Sequence, residues 1–213
     1  MIKSENFEVL GWEHAIRGLR NPMNSWDQSD SFWTHIEDPE TMETARFEFF
    51  VGDNDLDLMQ RLRKAGTDHR KFMRMLVVYV DITAPLYWWK EADTYAVGVV
   101  KNSCSTMHKI HAKEFTLDDF SHEHLNSISV NCLQMVINNL NANRMFFNAD
   151  HEKDAWWQMI QLLPSSYNQK RTVMLNYEVL ANIYKSRKNH KLDEWHDLCR
   201  WIEDLPYSEL ITG

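Results

Sequence analysis

The run from Met73 to Thr83, MRMLVVYVDIT, constrains the fold of this chain more than any other segment. It is rich in β-branched residues and too apolar for a surface helix, so it predicts a central strand that Pro85 ends. The segment before it has a different period. Leu58, Met59, Leu62 and Ala65 share one face of a helix from Asp53 to Gly66, with Asp53 or Asn54 as the cap and Gly66 as the stop. ARFEFFV, Ala45 to Val51, predicts a second strand, and Gly11 to Leu19 a further helix.

After Pro85, LYWWKEADTYAV suits a short helix or turn, and KNSCSTMHK, Lys101 to Lys109, a polar loop or helix start. The remainder reads as helical. Ile128, Cys132, Met135, Val136 and Leu140 give a helix within Leu125 to Asn143, and another covers Lys153 to Leu163 before Pro164. Two more are predicted at Tyr167 to Lys188 and at Leu192 to Leu205. Strands grouped in the first half and helices in the second imply an α+β fold with a mainly antiparallel sheet. With no repeat and no Gly/Ser/Pro-rich linker, residues 1–213 are expected to form a single domain.

Subtracting 31 acidic from 23 basic residues leaves a net charge of −8, and the basic residues are dispersed, which argues against duplex nucleic acid. A mononucleotide needs only a local patch. No segment approaches the ~20 apolar residues of a membrane helix. No export signal is visible at the start, so a cytoplasmic location is expected. Three cysteines, Cys104, Cys132 and Cys199, without CxxC spacing suit a reducing compartment.

Several segments are candidates for chemistry. His108, His111, His122 and His124 lie near Glu114, Asp118 and Asp119, but HxxH without a helical Glu is unspecific, and no metal site is expected. Cys104 lies between Ser103 and Ser105, near Lys101 and His108, which are neighbours that favour a thiolate; it also reads as a helix start or a small packing residue. RGLRNPMNSWDQSDS, Arg17 to Ser31, offers Arg17, Arg20 and several amides to a phosphorylated ligand, or forms a capped surface turn. Asn182, Arg187 and His190 cluster near a helix end, where cations complement the dipole.

Taken in order, these pieces resemble the flavin-dependent thymidylate synthases. KAGTDHRKF, the strand ending DITAP, LYWWKEADTY and KNSCSTMH follow that family's helix, strand, Ala-Pro step and flavin-motif helix. Its closing signature is similar to LPSSY at Leu163 to Tyr167, then Asn176, Leu180, Asn182, Arg187, His190 and Glu194. The departures are specific. Counted from Pro85, the Arg-His-Arg flavin motif falls on Thr94, Tyr95 and Ala96, and the Glu-x-Ser motif on Asn102 and Cys104, or its serine on Ser105 with one insertion. Two further arginines become Ile160 and Glu178.

The resemblance implies methylation of a pyrimidine deoxynucleotide, dUMP, with methylenetetrahydrofolate and FAD, with folate and NADPH as further partners and a homotetrameric assembly. It implies catalytic roles for Cys104, Ser105 and Arg187, and flavin contacts for Asn182, His190 and His69. Arg17, Arg20, Lys101 and Asn102 would bind substrate, the first three replacing the lost phosphate partners, each worth about 1.5–3 kcal/mol per charged hydrogen bond. A binding protein without turnover, or an oligomeric interaction protein, are the alternatives. The 9 Trp and 10 Phe are an independent hint of assembly. The enzyme and binding readings expect Arg17, Arg20, Lys101, Asn182, Arg187 and His190 to converge as cations and amides without carboxylate partners.

Overall fold

A computed structural model describes residues 2–37 and 44–213. In chain order the elements are β1 (Lys3–Leu10), α1 (Trp12–Arg20), β2 (Phe32–Glu37), β3 (Thr44–Phe50), α2 (Asp53–Lys64), β4 (Val77–Pro85) and α3 (Leu86–Ala92). There follow β5 (Val100–Ser103), α4 (Ser127–Asp150), α5 (Lys153–Leu162), β6 (Asn168–Asn176), α6 (Tyr177–Arg187), α7 (Asp193–Glu203) and α8 (Glu209–Thr212). The class is α+β. One sheet has the order β1-β4-β6-β5, and β2 and β3 form a separate antiparallel hairpin. No helix among the described residues is long and apolar enough to cross a membrane.

The expected central strand starts later than its apolar run. Arg70–Arg74 form a 3-10 turn, with Phe72 and Met73 buried, and β4 begins at Val77. Gly66 sets this turn, its carbonyl accepting from the N–H groups of His69 and Arg70. The larger correction concerns Tyr167 to Lys188, expected as one helix: its first half is β6. Gln169, Val173 and Leu175 are buried on one face, separated by multiples of two residues, the period of a strand. Asn176 then caps α6, its Oδ1 accepting from Val179 N at 3.1 Å. The KNSCSTMHK segment, expected as loop or helix start, opens with β5. β1 and β2 were not anticipated: both are polar enough in alternation to resemble loops.

The chain divides into two compact units. The first comprises 1–6, 80–173 and 190–198; the second comprises 7–79, 174–189 and 199–213. In the first, α4 packs on α5. Leu133, Ile137 and Leu140, at i, i+4 and i+7 of α4, join Ile110, Phe115, Phe120 and Met159 in one apolar cluster. Asn141 pins the incoming loop, its side chain donating to Phe115 O at 2.8 Å and accepting from Phe115 N at 2.9 Å. In the second unit, α6 packs on α8, and α1 and α2 on the 70–74 turn. Tyr177 lies at its centre, fully buried, with its hydroxyl donating to Pro206 O at 2.5 Å.

Candidate functional site

The polar loop after α1 is held almost wholly by its own unit. Arg20 is only 4% exposed; its Nε donates to Asp55 Oδ1 at 2.6 Å, and its terminal nitrogens donate to Ser25 O at 3.1 Å and Gln28 O at 3.0 Å. Ser29 and Ser31 each donate to Asp55 Oδ2 at 2.6 Å. Burial alone would raise the Asp55 pKa, but these hydroxyls and the guanidinium outweigh it and hold the carboxyl below its ordinary value. Asp30 caps α2, accepting from Asn54 N at 2.9 Å and Asp55 N at 3.1 Å. This needs Gly52, where a Cβ would lie 2.2 Å from Asp30 Cγ.

A pocket of about 210 Å³ opens beside this knot, with Arg17 exposed at its rim and aromatic walls from Trp26, Phe32, Trp33 and Phe49. Trp33 Nε1 donates to Glu13 at 3.1 Å. The SDS end of the RNPMNSWDQSDS motif is therefore scaffold, while Arg17 and the aromatic rings face a ligand-sized space. Asn182, exposed, and Arg187, half-buried, lie on α6 in the same unit and do not line this pocket. His69 is exposed at the start of the 70–74 turn.

Glu178, where the resemblance places an arginine, is buried and pairs with Arg70 at 3.0 Å and with Arg74. Burial works to raise its pKa, and the two arginines prevail, leaving it below the ordinary value. The inverted charge thus comes with its own cations.

In the first unit a larger cavity, about 340 Å³, is lined by Cys104, Ser105, Lys113, Tyr167, Asn168 and Lys170 among others. Cys104 is exposed, and its main chain is bound on both sides: its N–H donates to Lys170 O at 2.9 Å, and its carbonyl accepts from Gln169 Nε2 at 2.7 Å. Burial, with the Asp119 carboxylate adding, holds the Tyr167 phenol above its ordinary pKa. Asn102 is exposed on β5 and outside this lining.

Lys101 points elsewhere. Its Nζ donates to Ala92 O at 2.9 Å, Asp93 Oδ1 at 3.1 Å and Tyr95 O at 3.3 Å. Arg171 also pairs with Asp93, at 2.9 Å, and stacks 4.2 Å over Trp89. His190 Nε2 lies 3.4 Å from Glu91, and buried Glu194 accepts from the Tyr87 hydroxyl. The expectation of unpartnered cations is corrected here: Arg20, Lys101 and His190 each have a carboxylate neighbour, remote in sequence for Arg20 and His190. Among the described residues no group of three or more His, Cys, Asp or Glu is arranged to hold a metal.

Tyr167, Gln169 and Lys170 lie outside the expected site because the apolar spacing of Val173, Leu175, Val179, Leu180 and Ile183 predicts one helix through them, which hides the strand. The fold is that of the thymidylate synthases that use flavin. Two solved structures share it, both of flavin-dependent thymidylate synthase ThyX from Helicobacter pylori with FAD and dUMP. One has a TM-score of 0.65 at 16% identity over 99% of this chain and 97% of that one. The other has 0.64 at 16% over 99% and 95%. No family model and no curated protein sequence matches the chain.

The residues at the flavin motif do not fit FAD. Thr94, Tyr95 and Ala96 carry no cation, and the nearby Lys101 and Arg171 are both engaged with Asp93. A pyrophosphate needs charge-assisted donors, and withdrawing these two would leave Asp93 unpaired.

Proposed function

We propose that the protein, as one domain of this fold, is an enzyme that modifies a pyrimidine deoxynucleotide, with dUMP as substrate and methylenetetrahydrofolate as the one-carbon donor. The observation that carries the reading is the whole-length match to two ThyX structures that hold dUMP. The ligand-sized cavities of each unit, one with Cys104 and one with Arg17, support it. FAD and NADPH have no role in this reading, because the residues that the resemblance places at the flavin motif supply no phosphate clamp. The second reading, a nucleotide-binding protein without turnover, is favoured by that same loss.

The experiment is calorimetry with dUMP, followed by mass spectrometry of dUMP incubated with methylenetetrahydrofolate, with and without added FAD. Binding and a mass gain on the nucleotide are expected. Binding without product moves the protein to the second reading, and no binding of any pyrimidine nucleotide ends both. Arg187→Ala should weaken dUMP binding more than Lys188→Ala.

The assembly in this reading is a homotetramer. Phe32, Trp33, Phe47 and Phe50 are each about half exposed on a two-stranded hairpin, which alone is marginal in water. A monomer mass by light scattering at micromolar protein would refute it.

A further inference from the structure

We propose that the pocket beside α1 binds a free α-amino acid with an aromatic or large apolar side chain, its carboxylate on Arg17 and its ammonium on Glu13. The site lies wholly within the second unit. The proposal goes beyond the nucleotide reading and does not depend on it.

The first observation is a pair of opposite charges left apart. Glu13 and Arg17 stand at i and i+4 of α1 with the Glu first, the order and spacing that favour an ion pair on a helix surface. They are not paired. One Glu13 oxygen accepts from Trp33 Nε1 at 3.1 Å, and Arg17 has no hydrogen bond or ion pair among the described residues. The pocket therefore presents, one helical turn apart, a carboxylate oxygen and a guanidinium that are both open to a ligand.

The second is the charge of the whole lining. Arg20, its other cation, is neutralised by Asp55 at 2.6 Å. What remains is a wall neutral in sum and divided in space, Glu13 negative and Arg17 positive. A simple anion would gain Arg17 and meet repulsion from Glu13, and a simple amine the reverse. A zwitterion satisfies both. In an α-amino acid the two charged groups sit on one carbon, close enough to bridge side chains from adjacent turns. The start of a peptide chain brings only the ammonium and its end only the carboxylate, so the free amino acid is the form that fits.

The third is the aromatic wall. Trp26 and Trp33 are each about half exposed, yet the polar atom of each ring is already taken: Trp26 Nε1 donates to Asn21 Oδ1 at 2.9 Å, and Trp33 Nε1 to Glu13. The Trp33 ring also stands edge-on to Phe49, its cross-strand partner, with centroids 5.2 Å apart. Each ring thus offers carbon surface in a fixed place, which lowers the ordering cost of binding. Buried Ile16 adds apolar surface between them and α1. The space, about 210 Å³, lies below the roughly 300–1,000 Å³ of sites for larger ligands, so one small molecule with one side chain is the occupant it suits.

The test is calorimetry of the full-length protein with L-phenylalanine and L-tryptophan, set against 2-phenylethylamine, which lacks the carboxylate, 3-phenylpropionate, which lacks the ammonium, and glycine, which lacks the side chain. L-Phenylalanine should bind at least about tenfold more tightly than any of the three, because each gives up a charged hydrogen bond or the apolar contact. Two variants locate the charges. Arg17→Met should abolish the preference for L-phenylalanine over 2-phenylethylamine and keep that over 3-phenylpropionate, and Glu13→Gln should do the converse. Both side chains are exposed, so neither change disturbs the core, and a crossed pattern is one that a merely structural effect does not produce.

No binding of either amino acid at millimolar concentration overturns the proposal. So does an analogue that binds within about threefold of L-phenylalanine, or a pair of variants that leave all affinities unchanged or lower them equally. A final titration adds dUMP to the protein loaded with L-phenylalanine. Unchanged amino-acid binding is expected, whereas displacement gives the pocket to the nucleotide, overturning the proposal and leaving the nucleotide reading in place. Failure of dUMP to bind at all ends that reading and leaves the amino-acid site standing.

Discussion

The Arg20 loop of one unit and the Cys104 loop of the other look alike in sequence, each a short polar stretch with serines, an amide and a nearby cation, yet the protein uses them in opposite ways. Around Arg20 the side-chain ends are consumed internally: guanidinium, carboxylate and both serine hydroxyls bond to one another. Around Cys104 the main chain is consumed and the thiol is left facing a cavity. What separates them is the position of one carboxylate, Asp55, which lies 35 residues from Arg20 in sequence. A cation that finds a buried carboxylate is structure, and one that does not is available to a ligand. Removing a member of the first kind should therefore destabilise the protein strongly, and removing a member of the second should not.

The largest expected effect follows directly. Asp55→Ala leaves the Arg20 guanidinium buried and unpaired, and two serine hydroxyls without an acceptor. Breaking a buried pair from one side costs about 3–5 kcal/mol. Urea unfolding should show that loss, with a much lower midpoint at an unchanged slope. A loss below about 1 kcal/mol, the scale of an exposed pair, would break the contrast.

Acid sharpens it. Asp55 and Glu178 both have folded pKa values held below their ordinary 3.8 and 4.5, against the opposing effect of burial. A carboxylate depressed in this way contributes all its stability above the unfolded value and loses it as pH falls through the folded one. The urea midpoint should therefore be insensitive to these groups above 4.5 and decline below it. In Glu178→Gln that acid decline should be shallower, because one of the two carboxylates no longer titrates.

Much of the helical framework was legible because it repeats a period. Asp53–Lys64, Ser127–Asp150 and Lys153–Leu162 match the apolar spacing of Leu58, Met59 and Leu62, of Cys132, Val136 and Leu140, and of the run before Pro164. β6 was not legible as a strand because Val173 and Leu175 run directly into Val179, Leu180 and Ile183, so a two-residue period was absorbed into a 3.6-residue one. For the site, Cys104 and Arg17 were identifiable by residue type. Their accessibility was not, since it depends on which carboxylates the fold brings near: Asp55 to Arg20, Asp93 to Lys101, Glu178 to Arg70 and Arg74. Such pairings carry no local signal. The inversion to Glu178 looked like the loss of a function and is, in the structure, one half of an internal ion cluster.

Between the extremes stands Lys101. Its side chain is 16% exposed, and its ammonium ties the carbonyls of Ala92 and Tyr95 to Asp93, closing the turn after α3. Lys101→Met keeps the aliphatic stem and removes three hydrogen bonds, two of them to part-buried carbonyls. A loss of about 1–2 kcal/mol is expected, seen as a lower melting temperature. A larger loss, equal to that of Asp55→Ala, would place Lys101 with the buried scaffold instead.

The smallest effect is expected at Cys104 itself. Its side chain is exposed and makes no hydrogen bond among the described residues, while the bonds that anchor it belong to the main chain and survive any substitution. Cys104→Ala should change stability by no more than about 0.5 kcal/mol. Cys199 provides the contrast within the same chain: it is buried, and burial with the Glu203 charge pushes its thiol up to about 11. Cys199→Ser would place an unpaired hydroxyl in the apolar core and should cost about 1–3 kcal/mol. Guanidinium unfolding of the two variants side by side decides the matter. If Cys104→Ala proves as costly as Cys199→Ser, Cys104 is a packing residue, and the cavity's exposed thiol loses its standing as a group kept for chemistry.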